Sequence, residues 1–137
     1  MQKTNLQQQI SVHAPPSKVW KVLTHPEYIN QYLFPNNICC NWTEGSSIMI
    51  ISNAEEAERV VVGKVLESIP GMLLKFNFRE EHTSKYLTTT YELIVDNGGV
   101  ELKIKCEGFA AAAQEYFLRE QQARLLLQKI KWLSEYS

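Results

Sequence analysis

The stretch YLTTTYELIVDNGGVELKIKC, Tyr86 to Cys106, decides how this chain is read. In its second arm Val100, Leu102, Ile104 and Cys106 share one face. Glu101, Lys103, Lys105 and Glu107 share the other, the period of two that a half-buried strand requires. Tyr86 to Val95 forms the first arm, and Asp96-Asn97-Gly98-Gly99 turns one arm into the other. The centre of the sequence is therefore an antiparallel hairpin.

Reading back toward the N-terminus gives more strands. Leu74, Phe76 and Phe78 alternate with Lys75, Asn77 and Arg79, and the polar run Glu80 to Ser84 turns this strand into the hairpin. Pro70-Gly71 ends a strand over Val60 to Ile69. Asn36 to Trp42 leads through the turn Thr43-Glu44-Gly45-Ser46 into the apolar run Ile48 to Ile51. Asn53 to Glu58 is polar and acidic, a surface loop or a short helical turn. At the start Leu6, Gln8, Ile10 and Val12 oppose Gln7, Gln9, Ser11 and His13, with Gln8 the one polar exception on its face. Ala14-Pro15-Pro16-Ser17 stops that strand and opens a short helix through Val22, with Val19, Trp20 and Leu23 turned inward. Thr24 and Glu27 have capping-box spacing, so a second short helix is expected to run to about Tyr32.

Reading forward gives one long helix. From Ala110 to about Glu135 there is neither Gly nor Pro. Tyr116, Ala123, Leu126 or Leu127, Ile130 and Leu133 recur at helical spacing, opposite Gln121, Arg124, Gln128, Lys131 and Glu135. About 25 residues at 1.5 Å each would reach about 37 Å. The expected class is α+β, a curved antiparallel sheet of six to seven strands wrapped around the C-terminal helix, in a single domain over residues 1–137. Such a grip encloses space between sheet and helix, expected under Ala110 to Leu118.

Composition excludes several classes of function. The chain has 137 residues, 14 Lys plus Arg against 15 Asp plus Glu, and 45% hydrophobic residues. It is too apolar and too weakly charged for disorder, and its near-neutral balance carries no footprint for nucleic acid or anionic membrane. Apolar runs are a handful of residues long, so no membrane span is expected, and the polar stretch Met1 to Gln9 lacks a leader's pattern. Cys39, Cys40 and Cys106 form no C-x-x-C pair and read as ordinary thiols of a cytoplasmic protein. His13, His25 and His82 are scattered, so no metal or cofactor is expected. Glu55, Glu56 and Glu58 read as a solvated loop.

In order, these segments resemble the START-like or SRPBCC helix-grip superfamily, and within it the branch named for the activator of Hsp90 ATPase. Ile10 through Ala14-Pro15, Val19-Trp20, Leu23-Thr24 and Pro26-Glu27 resemble its opening strand and helix. Trp42 and Gly45 resemble its W-x-x-G turn, and Gly63-Lys64-Val65-Leu66-Glu67 with Pro70 its central segment. Thr90-Tyr91-Glu92-Leu93 and Glu107-Gly108-Phe109 resemble its last strands, and Leu127 to Glu135 its closing helix. Two places depart. Tyr32 stands where the branch commonly has Trp, and Gln122-Ala123 where it often has Gly-Trp; both border the cavity the resemblance implies.

The aromatic residues are the most informative candidates. Trp42, Phe76, Phe78, Tyr91, Phe109, Tyr116 and Phe117 should approach one space, with Tyr32 at its border. They form either a filled core or the wall of a pocket, and polar-tipped rings around one space suit a mostly apolar guest. Glu67 faces inward by strand parity, or outward if a bulge near Pro70 intervenes. The expected function is non-catalytic binding of a small hydrophobic or aromatic molecule, oriented by Tyr, Arg79 or Glu67. Two alternatives come from the resemblance: a stress-related co-chaperone acting on an Hsp90-type ATPase, and an enzyme akin to polyketide cyclases. A monomer or a homodimer is expected.

Overall fold

Asn97 and Gly98 both adopt positive φ, 49° and 84°, and this two-residue turn pairs Asp96 with Gly99 to close the central hairpin. The left-handed pair matches the twist of the flanking strands, which is why an Asn-Gly step suits the position. The computed structural model describes residues 3–32, 38–51, 59–79 and 85–137. The chain runs β1 (Lys3–Val12), α1 (Pro16–Thr24), α2 (Pro26–Tyr32), β2 (Ile38–Cys39), β3 (Ser47–Ile51), β4 (Arg59–Ile69), β5 (Leu73–Arg79), β6 (Tyr86–Asp96), β7 (Gly99–Ala111) and α3 (Ala113–Tyr136). The strands form one seven-stranded antiparallel sheet in the order β1-β7-β6-β5-β4-β3-β2, and α3 covers one of its faces. This is the expected α+β helix-grip layout.

One end of the grip is solid. Leu127, Ile130 and Leu133 of α3 are at most 2% exposed and cluster with Val19, Val22 and Leu23 of α1. Their spacing of three keeps them on one helix face, and burying each such side chain is worth about 1.5–3 kcal/mol. Gln8, the polar exception of β1, is half-buried, and its amide Nε2 donates to the Glu120 carbonyl of α3 at 2.9 Å. Tying a strand to a helix backbone satisfies an amide that an apolar face would otherwise leave unpaired.

The long helix begins later than its composition suggests. Ala110 and Ala111 continue β7, and α3 starts at Ala113. Gly108, at φ 93°, lies where the β1–β7 register shifts, since Asn5 pairs with Glu107 and Lys3 with Ala111. That irregularity re-aims the strand, so inward positions pass from Ile104 and Cys106 to Phe109 and Ala111. Pairing with β1 outweighs the helix propensity of the alanines.

The capping box at Thr24 does not form. Thr24 Oγ1 donates to the Trp20 carbonyl at 2.8 Å, finishing α1. The His25 carbonyl instead accepts from the Tyr28 and Ile29 N–H groups, both at 3.0 Å, with Pro26 in the first helical position. The strand expected up to Trp42 is, among the described residues, only Ile38–Cys39. Asn36, the acidic run Asn53 to Glu58, His82 and the turn Glu80 to Ser84 lie outside the described residues.

Candidate functional site

At the other end of the grip, α3 stands off the sheet. A cavity of ≈ 340 Å³ opens there, in the size range of small-molecule sites. Its floor follows from strand register. Phe76 of β5 pairs with Thr89 of β6, Thr89 with Cys106 of β7, and Cys106 with Leu6 of β1. These four side chains form one row across four strands, all facing the cavity. Tyr91 and Ile104, themselves paired, flank the row on one side, and Phe78 and Leu87 on the other.

The roof is one stripe of α3. Arg119, Gln122, Ala123 and Leu126 all line the cavity, at steps of three, one and three residues. Arg119 gives the stripe its charge. Its Nη2 donates to Glu115 Oε1 at 3.1 Å, and its guanidinium lies 4.7 Å from the centre of the Phe109 ring. Its side chain is 19% exposed and Gln122 is exposed, so these polar residues mark the rim. The same face continues into Leu127, Ile130 and Leu133, where the space is filled.

The titratable groups of the floor stay neutral. Burial pushes the Tyr91 hydroxyl well above its ordinary value. Burial also pushes the Cys106 thiol up, more than its hydrogen bond with Thr89 and the charge of Arg119 bring it down. A thiol held up in this way is a poor nucleophile at neutral pH. Among the described residues no group of three or more His, Cys, Asp or Glu is placed to hold a metal ion.

The candidate residues divide among several places. Phe76, Phe78 and Tyr91 line the cavity. Trp42 is buried behind it, edge-on to Phe76 with ring centres 5.5 Å apart, and its backbone N–H donates to Cys40 Sγ at 3.3 Å. Trp42 holds a left-handed backbone, φ 57°, which is uncommon for a bulky residue. Tyr32 packs against the main core and donates its hydroxyl to the Val22 carbonyl at 2.9 Å. Phe109 and Tyr116, with ring centres 6.3 Å apart, belong to a second cluster with Leu6 and Ala123, at the edge of the cavity. Phe117 points away, 58% exposed on the outer side of α3.

Glu67 is exposed as well. The β4–β5 register passes from Val65–Phe76 to Glu67–Lys75, so Leu66 is an extra residue and the parity that would turn Glu67 inward is broken. Arg79 is also exposed, and neither it nor Glu67 lines the cavity. The space lies under Arg119 to Leu126, more than two helical turns beyond the expected Ala110 to Leu118.

Sequence reasoning found Gln122-Ala123 through the departure from the family pattern and missed Arg119. A signal was present. Arg119 is seven residues before Leu126 and eight before Leu127, on the face that later becomes pure core. Leu118, Leu125 and Trp132 were also passed over. They are 60%, 65% and 53% exposed and recur every seven residues along the outer side of the helix.

A family model described as activator of Hsp90 ATPase homolog 1-like protein matches residues 13–135. Among curated proteins no relative matches the chain. Among solved structures, protein MLL2253 from Mesorhizobium loti is 19% identical, with a TM-score of 0.76 over 94% of this chain and 95% of that one. The Aha1 dimer from Colwellia psychrerythraea is 15% identical, with a TM-score of 0.74 over 98% of each chain. DynU16, from the dynemicin biosynthetic locus, is 16% identical, with a TM-score of 0.77 over 98% of this chain and 50% of that one. At these identities the likeness is one of fold.

Proposed function

The chain belongs to the family of activator of Hsp90 ATPase homolog 1-like proteins, and on that premise we propose that it binds a small hydrophobic or aromatic molecule, unchanged, between its sheet and α3. The observation that carries this reading is the contrast within one helix face. Its C-terminal half is packed to near-zero exposure, while its N-terminal half roofs a ≈ 340 Å³ space floored by Phe76, Thr89, Cys106 and Leu6. Each 100 Å² of apolar guest surface removed from water there contributes about 2.5 kcal/mol before the cost of immobilising the guest. Binding without chemistry fits a floor whose Tyr91 and Cys106 are both held in their protonated forms by burial.

Native mass spectrometry of the purified protein, offered a library of lipids and small aromatics, tests the reading. Adducts are expected on the wild type and not on Ala123→Trp, whose indole would fill the cavity. Overpacking costs about 1–3 kcal/mol, so circular dichroism must show the variant folded. A wild-type protein that takes up no member of the library overturns the reading.

A second reading places function on the outside of α3. Leu118, Leu125 and Trp132 form an exposed apolar stripe, the kind of surface that a protein partner covers. The family description makes an Hsp90-type ATPase the partner to try. The expected effect is a change in the chaperone's ATP turnover when this protein is added. No change at saturating concentration would dispose of it.

A further inference from the structure

The two edges of the sheet are not alike. Among the described residues β2 ends one edge with only Ile38 and Cys39, too short to recruit another strand. The other edge is β1, Lys3–Val12, which among the described strands pairs only with β7. Natural edges are blunted by charges, prolines or bulges, because a row of unpaired N–H and C=O groups invites another chain. From Thr4 to Val12 β1 has neither a charged residue nor a proline, and from Asn5 onward its register is unbroken.

Which groups face the open side follows from two contacts. A Cβ on Gly99 would lie 2.8 Å from the Val12 carbonyl oxygen, so that oxygen faces β7. The Ser11 carbonyl points the other way and accepts from Lys131 of α3 at 2.6 Å. Groups alternate along an antiparallel strand, so Asn5, Gln7 and Gln9 turn their N–H and C=O groups away from β7, as Ser11 does. All three residues are exposed. Gln9 and Ile10 of β1, with Glu120, Arg124 and Gln128 of α3, line a groove of ≈ 420 Å³ beside this edge.

We propose that this edge seats a second copy of the chain, the two β1 strands pairing antiparallel with Gln7 opposite Gln7. In that register Asn5 meets Gln9 of the second copy, and each such pair exchanges two backbone hydrogen bonds. The pairing stops at Ser11, whose carbonyl Lys131 already holds. The two seven-stranded sheets become continuous.

Side chains favour a copy over an unrelated strand. Asn5, Gln7 and Gln9 share the outer face, and a carboxamide both donates and accepts, so amide meets amide across the twofold. No charge between Thr4 and Val12 opposes its own image. Glu120 and Arg124 give the groove wall both signs, and among the described residues neither belongs to an ion pair within the chain. A wall of both signs faces its own twofold image without net repulsion. None of Asn5, Gln7 and Gln9 lines the cavity, so the contact stands whether or not a guest is bound.

Sedimentation velocity over a concentration series up to about 100 μM tests the pairing, since a dimer's population rises with concentration. The wild type is expected to pass from monomer to dimer. Gln7→Pro should stay monomeric yet fold, because the N–H it removes is not in the ladder with β7. Gln7→Lys sets two like charges opposite each other and should weaken the dimer about tenfold or more, without touching the core. If the proline variant unfolds, the lysine variant decides. Gln7→Cys checks the register, with the wild type and its own three cysteines as the control. Under mild oxidation it should link two chains, whereas Gln9→Cys, its copies about 14 Å apart along the strands, should not. A wild type that stays monomeric throughout overturns the proposal, as does a dimer that Gln7→Lys leaves unchanged. Equal linking of the two cysteine variants overturns it too. A dimer lost instead in Leu125→Lys belongs to the outer stripe of α3 and overturns it equally.

Discussion

The backbone N–H of His13, just past the end of β1, donates to Oε2 of Glu135, in the last turn of α3, at 2.8 Å. Lys131 Nζ reaches the same oxygen at 2.6 Å and the Ser11 carbonyl at 2.6 Å. Strand end and helix end are thereby fastened at the filled end of the grip. The His13 N–H, then Lys131, hold the Glu135 carboxyl below its ordinary value. A carboxyl lowered on folding adds stability above its unfolded value, and that contribution is lost as pH falls through the folded one. Glu135→Gln should cost about 1–2 kcal/mol at pH 7, the scale of hydrogen bonds to a charged group. Urea unfolding across a pH series should show the deficit shrinking in acid. A deficit that is constant with pH would refute this account.

Trp42 should be among the most sensitive positions. It is 6% exposed, and its ring meets Phe76 edge-on at the back of the cavity floor. Trp42→Ala should destabilise by about 3–5 kcal/mol, from lost burial plus the void left behind. Chemical denaturation measures it. A loss below about 1 kcal/mol would mean that the ring is not the support of the floor described here.

Two glycines separate backbone conformation from crowding. Gly71 and Gly108 both have positive φ, 77° and 93°, but a Cβ on Gly71 would meet open space while one on Gly108 would lie 3.0 Å from the Tyr86 carbonyl oxygen. Gly71→Ala should cost about 1 kcal/mol, and Gly108→Ala clearly more, because the neighbouring backbone must shift as well. Equal melting temperatures for the two variants would count against this reading of Gly108.

Cys106 should be a slow thiol. It lies in the cavity floor with its proton held by burial, whereas Cys39 is half-buried outside the cavity lining. At pH 8, iodoacetamide should modify Cys106 at least about tenfold more slowly than an unhindered peptide cysteine. Peptide mapping by mass spectrometry gives the rate, and a guest in the cavity should slow it further. Reaction at the peptide rate would mean the floor is open to solvent.

The outer stripe of α3 should be dispensable for folding. Leu118→Lys combined with Leu125→Lys should change stability by no more than about 0.5 kcal/mol, since both side chains already face water. If the stripe meets a chaperone, the same pair should abolish the effect on its ATP turnover. A destabilisation of several kcal/mol would show that the stripe is packed.

Most of the architecture is legible in the sequence because it rests on period and turn chemistry. Val100 to Cys106 alternates cleanly, Asn97-Gly98 sits where a tight hairpin needs positive φ, and Leu127, Ile130 and Leu133 keep helical spacing. What escapes is set by register irregularities, which have no local period. The extra residue at Leu66 turns Glu67 outward, and the shift beside Gly108 keeps Ala110 and Ala111 in a strand. The site is legible in part. Phe76, Phe78 and Tyr91 follow from parity, yet the row that joins Phe76 to Leu6 depends on pairing between strands far apart in the chain. Arg119 escapes for another reason: a charged residue near a helix start reads as solvent-facing until the helix is seen to lift from the sheet.

The division of α3 into a packed half and a roofing half has a consequence for how this protein can change over generations. The side chains that keep the chain folded and those that line the cavity occupy separate turns of one helix. A substitution at Gln122 or Thr89 alters the shape of the cavity without touching Leu127, Ile130 or Leu133. The shape of the cavity is therefore free to drift while the scaffold persists, so two descendants of this chain could keep the same skeleton around differently shaped spaces.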